Sequence, residues 1–284
     1  MAKAKKTSTT IKVGGRRSTS SRRPTSVRRK QRVMPRWKYI ATAAAITATV
    51  LALAYYPFIR PAFNRFTPCN GHKIFGACIP KGYSVYGIDI SHHQGVIDWE
   101  ELKEGDPDNP EISFVYMKAT EGSDYTDSRF KKNWHRSKEE GFTRGAYHYF
   151  STTSKGEAQA DMFMSLVDLK TGDLPPMVDV EEEPKNAKTF REELKKCLNR
   201  LEKHYGVKPI IYTNKYFKEK YLDKSLLEKY PIWIAQYHTL QPGISEEWVF
   251  WQCSERGKIP GIKRRVDINI VKGGHETIEK LKIK

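Results

Sequence analysis

The 284-residue chain carries 50 Lys and Arg against 33 Asp and Glu, a formal net charge of +17. Fourteen of those basic residues, and no acid, lie in residues 1–38, so 17 − 14 leaves only +3 for everything that follows. The positive charge is therefore a tail property, which argues against a basic nucleic-acid-binding surface on the folded part, and four cysteines are too few to define a disulfide scaffold.

In chain order, residues 1–38 are rich in Ser, Thr and Arg with few large apolar side chains, and read as a disordered basic cytoplasmic tail. Residues 39–58 carry no charge and have Tyr39 at one end and Tyr55 and Tyr56 at the other. Twenty such residues after a basic arm predict a single transmembrane helix, an anchor that leaves the rest of the chain outside the cytoplasm. The small-x-small triplet Ala52-Leu53-Ala54 offers the alternative of a cleaved signal peptide and a secreted product. Residues 59–82 read as a linker, in which Cys69 and Cys78 bound a Gly-containing loop that a disulfide would close in an oxidising compartment. No C-x-x-C or H-x-x-x-H spacing suggests a metal site, and no cofactor is expected.

From residue 83 to 284 the pattern alternates strand and helix. Short β-rich runs fall at 85–91, 112–120, 144–150, 176–181, 208–213, 232–236, 249–254 and 266–271, and helical stripes at 98–103, 127–140, 155–167, 189–205 and 215–229. Five β/α units followed by three strands predict an α/β barrel of the TIM type with an incomplete helical coat, the domain spanning 83–284. A doubly wound open sheet is the rival, but no Gly-rich phosphate fingerprint follows the first strand.

In such a barrel the chemistry gathers where the strands end. Asp179 and Glu181 are two residues apart at the end of the fourth run and so share a face. Asp89 closes the first run and Asp267 lies on the last, and barrel closure makes these two strands neighbours. Paired carboxyl groups are what glycosidic-bond hydrolysis requires, one to protonate the leaving oxygen and one to support the sugar cation. Crowding of like charges raises at least one pKa, as a general acid needs near neutral pH. Aromatic and amide side chains at the strand ends, Tyr147, Tyr212, Gln236, Trp251 and Gln252, are candidates for a sugar-binding groove, although alternation sends about half of such residues outward.

The phrases Gly87-Ile-Asp-Ile-Ser-His-His-Gln94, Lys118-Ala-Thr-Glu-Gly122, Gly145-Ala-Tyr-His-Tyr-Phe150, Val178-Asp-Val-Glu181, Trp233-Ile-Ala-Gln236 and Val266-Asp-Ile-Asn269 come in an order that resembles glycoside hydrolase family 25, the Chalaropsis-type lysozymes. The resemblance runs over about residues 84–271. It implies an N-acetylmuramidase that cuts the β-1,4 bond between N-acetylmuramic acid and N-acetylglucosamine in peptidoglycan. On that basis Glu181 is expected as general acid and Asp179 as its partner, with Asp89 and Asp267 shaping the charge of the site. Tyr147, Tyr212 and Trp251 fall where the family lines its groove. The expected partners are peptidoglycan strands and, through residues 39–58, the membrane; no nucleic acid is expected, and the chain is read as a monomer. The alternative function is a non-catalytic peptidoglycan-binding protein anchored in the membrane.

Overall fold

The structure is a computed structural model that describes residues 35–54 and 71–284. The chain divides into two compact units, Met1–Thr67 and Pro68–Lys284. Most of the expected tail and part of the expected linker lie outside the described residues.

In the first unit, helix α1 spans Arg36–Ala54. It begins with Arg36 and Lys38 and is built mainly of Ala and Thr, with the Thr42 and Thr49 hydroxyls donating back to the carbonyls of Lys38 and Ala45. Among the described residues no helix is long and apolar enough to cross a membrane, so the span expected over 39–58 is not found. The expected span runs past the end of this helix, and residues 55–58 lie outside the described residues.

The second unit opens with a hairpin, β1 (His72–Ile74) and β2 (Ala77–Ile79), inside the stretch expected to be linker. Phe75 and Ile79 are buried in the core, which explains why this segment is ordered. Cys78, on β2, is disulfide-bonded; Cys69 lies outside the described residues.

The barrel follows. In chain order come β3 (Tyr86–Ile90), α2 (Trp99–Glu104), β4 (Ile112–Glu121), a two-residue strand β5 (Tyr125–Thr126), α3 (Phe130–Glu139), β6 (Thr143–Tyr149), α4 (Gly156–Leu166), β7 (Met177–Asp179) and α5 (Ala187–Tyr205). Then come β8 (Ile210–Asn214), α6 (Lys215–Tyr221), α7 (Lys224–Lys229), β9 (Ile232–Ala235), β10 (Trp248–Gly257), β11 (Val266–Val271) and α8 (His275–Leu281). Strands β3, β4, β6, β7, β8, β9, β10 and β11 pair in that spatial order, and β11 returns to β3. All eight coincide with the runs read from sequence. The first seven are parallel, while β11 is antiparallel to both β10 and β3.

Two apolar layers hold the barrel. The outward faces of the strands pack against the helices, with Ile88, Val115, Ala146, Val178, Ile211, Ile234 and Ile268 meeting residues such as Leu102, Phe163, Leu194 and Leu198. The interior is filled by rings: Phe114, Tyr116, Trp233 and Phe250 lie with centroids 4.9–6.4 Å apart. Two inward positions must be glycine for these rings to fit. A Cβ on Gly87 would stand 2.3 Å from the Phe114 ring, and one on Gly145 2.3 Å from the Tyr116 ring. This packed floor closes the barrel and leaves room for a cleft only above it, at the ends of the parallel strands.

Candidate active site

The strand alternation that buries the rings carries the next inward residues to the rim. Above Tyr116 stands Lys118, above Tyr147 stands Tyr149, above Met177 come Asp179 and then Glu181, and Asp89 is the inward residue of β3 after Gly87. Because β11 runs backwards, its first inward residue, Asp267, lies at this same end, opposite Asp89 in the strand register. These side chains, with Tyr212, Tyr237, Gln252 and Glu255, line a cleft of about 350 Å³, a size usual for small-molecule sites.

Asp89 sits at the centre of a hydrogen-bonded frame. Its Oδ1 accepts from Asn269 Nδ2 at 2.7 Å and from Gln252 Nε2 at 3.0 Å. Asn269 is itself fixed by the Trp233 indole N–H, which donates to its Oδ1 at 3.0 Å. Gln252 accepts through its Oε1 from the hydroxyls of Tyr212, at 2.9 Å, and Tyr237. The frame thus ties the aromatic floor to the rim, and leaves Asp89 little freedom to turn.

The other acids are held differently. Asp179 is buried, and its Oδ1 has no hydrogen-bond partner among the described residues. Glu181 stands above it, exposed at the mouth of the cleft. Among the described residues Lys118 is the one Lys or Arg lining the cleft; its ammonium donates to Glu121 at 2.6 Å and lies 4.8 Å from the Tyr149 ring centroid.

Five carboxyls against one ammonium in a half-dry cavity force protons onto the acids. Burial, opposed by the bonds from Asn269 and Gln252 and supported by the charge of Glu181, pushes Asp89 up to about 6. Burial together with Asp89, Glu255 and Glu181 pushes Asp267 up to about 8. Burial first, then the charges of Glu181 and Asp89, raise Asp179 well above the ordinary carboxylate range. Partial loss of hydration at the cleft mouth raises Glu181, and the charge of Lys118 holds it back. The cluster therefore keeps protons at neutral pH and shares them among coupled groups. A carboxyl with a raised pKa, reachable from solvent and set over a second buried carboxyl, is placed to protonate a glycosidic oxygen.

Residues 88–262 match the model of the glycosyl hydrolases family 25. The chain belongs to that family. Among its relatives are the uncharacterized protein YegX of Escherichia coli, 39% identical over 74% of this chain and 76% of its own, and lysozyme M1 of Streptomyces globisporus, 32% identical over 66% of this chain and 68% of its own. Of solved structures, a family 25 glycosyl hydrolase from Bacillus anthracis aligns with a TM-score of 0.64 at 36% identity, covering 70% of this chain and 94% of that one. A bacterial lysozyme from Streptomyces coelicolor aligns with a TM-score of 0.65 at 31% identity, covering 70% and 97%. Membership in family 25 makes the chain a glycoside hydrolase.

Of the residues singled out in the sequence, the structure brings Asp89, Asp179, Glu181, Asp267, Tyr147, Tyr212 and Gln252 into one cleft. Trp251 is not among them. It points outward from β10, fully buried in the outer apolar layer beside Tyr83 and Trp248, and its Nε1 donates to the Gln236 carbonyl at 2.8 Å. Gln236 likewise lies outside the lining and serves through its backbone, its N–H donating to the Gln252 carbonyl. His148 and Phe150 also face outward; His148 is pushed down to about 4, chiefly by burial, between Thr120 and Gln159. Lys118, Tyr149, Tyr237 and Glu255 line the cleft without having been singled out. Three of them were findable by parity, since each stands two residues beyond an inward residue: Lys118 beyond Tyr116, Tyr149 beyond Tyr147 and Tyr237 beyond Ala235. His92 and His93 form a 3-10 turn capped by Ser91. His92 Nδ1 lies 2.7 Å from Asp127 Oδ2, which fixes the turn so that His93 and Gln94 form one edge of the cleft.

Proposed function

We propose that the chain is a peptidoglycan N-acetylmuramidase, with Glu181 as general acid and Asp179 as its partner at the reacting sugar. The observation that carries this reading is the stacked pair at the end of β7: a buried Asp179 with an unpartnered oxygen beneath a Glu181 that solvent can reach. Glu181 protonates the leaving oxygen, and loss of hydration raises its pKa in the direction a general acid needs, against the opposing charge of Lys118. Asp179, deeper and surrounded by other acids, addresses the ring substituents or the developing positive charge at the anomeric carbon. Asp89, held by Asn269 and Gln252 and pushed up only to about 6, supplies negative potential that favours that charge, while Asp267 opposite it in the register shapes how the acids share their protons. Tyr147, Tyr149, Tyr212 and Tyr237 offer ring faces and hydroxyls to the sugar.

Relatives named as lysozymes support this reaction, and the complete set of cleft acids supports turnover over mere binding. The catalytic unit works outside the cytoplasm, where peptidoglycan lies.

The test is mass spectrometry of purified peptidoglycan digested by the chain, with new reducing ends identified after borohydride reduction. Reduced muramic acid ends are expected from the wild type. The Glu181→Gln variant, whose amide cannot supply the proton, is expected to lose about 10²–10⁴-fold in rate while keeping its fold. Reduced glucosamine ends, or undiminished turnover by the variant, would reject the assignment.

A further inference from the structure

A second concavity adjoins the cleft. It is a groove of about 860 Å³ between the turn after β3 and the start of α2 on one side and the tip of the β10–β11 hairpin on the other, with α3 along its edge. Its two walls are sewn together by backbone bonds: Ile97 bridges to Ile262, and the Asp98 N–H donates to the Gly261 carbonyl at 3.0 Å. At Gly261, where φ is +79°, an added Cβ would stand 2.2 Å from the Asp98 carbonyl oxygen, so the closeness of the walls depends on glycine there. The groove is therefore pre-formed, which lowers the ordering cost of binding.

Its charge is the reverse of the cleft's. Lys132, Arg136, Lys263 and Arg264 line it against Asp98 and Glu101. Arg136 is committed to Glu100, Glu139 and Glu140, and Asp98 caps α2. Lys132 and Lys263 pair with no carboxylate among the described residues. Arg264 uses one nitrogen, Nη1, to donate to the His93 carbonyl at 3.1 Å, which leaves the rest of its fork open. The groove and the cleft meet at Gln94, which lines both, and the Gln94 amide donates to the Arg265 carbonyl at 3.2 Å, locking the junction.

We infer that this groove receives the anionic peptide stem borne by the muramic acid in the cleft, with Lys132, Lys263 and Arg264 meeting its free carboxylates. The inference rests on the peptidoglycan reading of the cleft. The glycan is neutral along its backbone and can lie among five carboxyls, whereas a stem carrying carboxylates is repelled there and needs a cationic exit within reach. The groove's continuity with the cleft at Gln94 favours a stem joined to the same sugar over a separate wall polymer. Its volume suits a short peptide.

The test compares initial rates of the full chain, wild type and the K132E/K263E double variant, on glycan strands that keep their stems and on the same strands stripped of stems by an amidase. The variant is expected to raise KM about tenfold on stem-bearing strands at unchanged kcat, the loss of two surface charge contacts, and to match the wild type on stripped strands. An equal effect on both substrates, or on neither, overturns the proposal. So does a defect seen only on whole walls, which would assign the groove to another wall polymer. If the wild type cleaves neither preparation, it is the muramidase reading that fails. Calorimetric binding of the two strand preparations to the two proteins then decides the groove by the same comparison: a stem-dependent loss in the variant supports it and none refutes it.

Discussion

Trp251 and Gln252 are consecutive in β10 but belong to different parts of the molecule. The indole points away from the barrel axis, packs edge-on against Tyr83 at 6.0 Å and Trp248 at 6.3 Å, and bonds the Gln236 carbonyl. The amide points inward and joins Tyr212 and Tyr237 to Asp89. Trp251→Phe is accordingly expected to cost about 1–3 kcal/mol of stability through the lost volume and bond, with KM for glycan strands unchanged. Chemical denaturation alongside kinetics checks this; a several-fold rise in KM at an unmoved unfolding midpoint would put Trp251 back in the groove. At this scale the acids were legible in the sequence and this tryptophan was not. A charge flanked by apolar residues on a strand points to a functional face, because burying it elsewhere is costly. In Val249-Phe-Trp-Gln-Cys253 both parities include large apolar side chains, and both faces of a barrel strand are buried, so the pattern does not distinguish floor from outer layer.

Elements were read more faithfully than side-chain directions, and two features of the barrel's second half have local causes. The helix expected over 215–229 is two helices, since Asp223 accepts from the Leu226 N–H and caps a new start. The reversal of β11 follows from the connection 258–265, shorter than the dozen or so residues that a parallel crossover needs. That reversal matters to the site, because a parallel β11 would carry Asp267 to the far end of the barrel. Close approach between elements is where the fold is least tolerant. Tyr116 is fully buried, bonds the Pro175 carbonyl at 3.0 Å and is hemmed by Phe114, Trp233 and Phe250, so it cannot yield to a new methyl group at position 145. Gly145→Ala should therefore destabilise by about 1–3 kcal/mol or more, as overpacked cores do. Urea titration reads this as a lowered midpoint, and a midpoint within error of the wild type would show that the Tyr116 ring has room to move.

Across the whole molecule, the barrel was legible because eight runs of strand pattern recur with helices between the first five. The β1–β2 hairpin was missed because three-residue strands offer too little periodicity to detect, and α8 because it is a single short amphipathic segment after the last strand. The shared cost of the site also appears at this scale, as a dependence of stability on pH. A carboxyl raised in the folded state binds more protons there than in the unfolded chain, so its contribution is complete at low pH and is lost as pH climbs through the folded value. For Asp89 that loss falls between about 4 and about 6, and for Asp267 between about 4 and about 8. His148 acts in the opposite sense. Lowered to about 4 from 6.5, it adds stability as pH rises over that interval and nothing further above it. Below pH 6.5 the terms oppose one another, whereas from 6.5 to 8 Asp267 acts without that opposition. Thermal stability should therefore fall as pH rises over this upper window, by at most ~2 kcal/mol from Asp267, given ~1.4 kcal/mol per pH unit and some solvent screening. Asp267→Asn cannot ionise, so its melting temperature should decline less over the same range and exceed the wild type's at pH 8 and above. Melting curves of the two proteins across that window decide it, and parallel declines would mean that Asp267 is already ionised at pH 6.5.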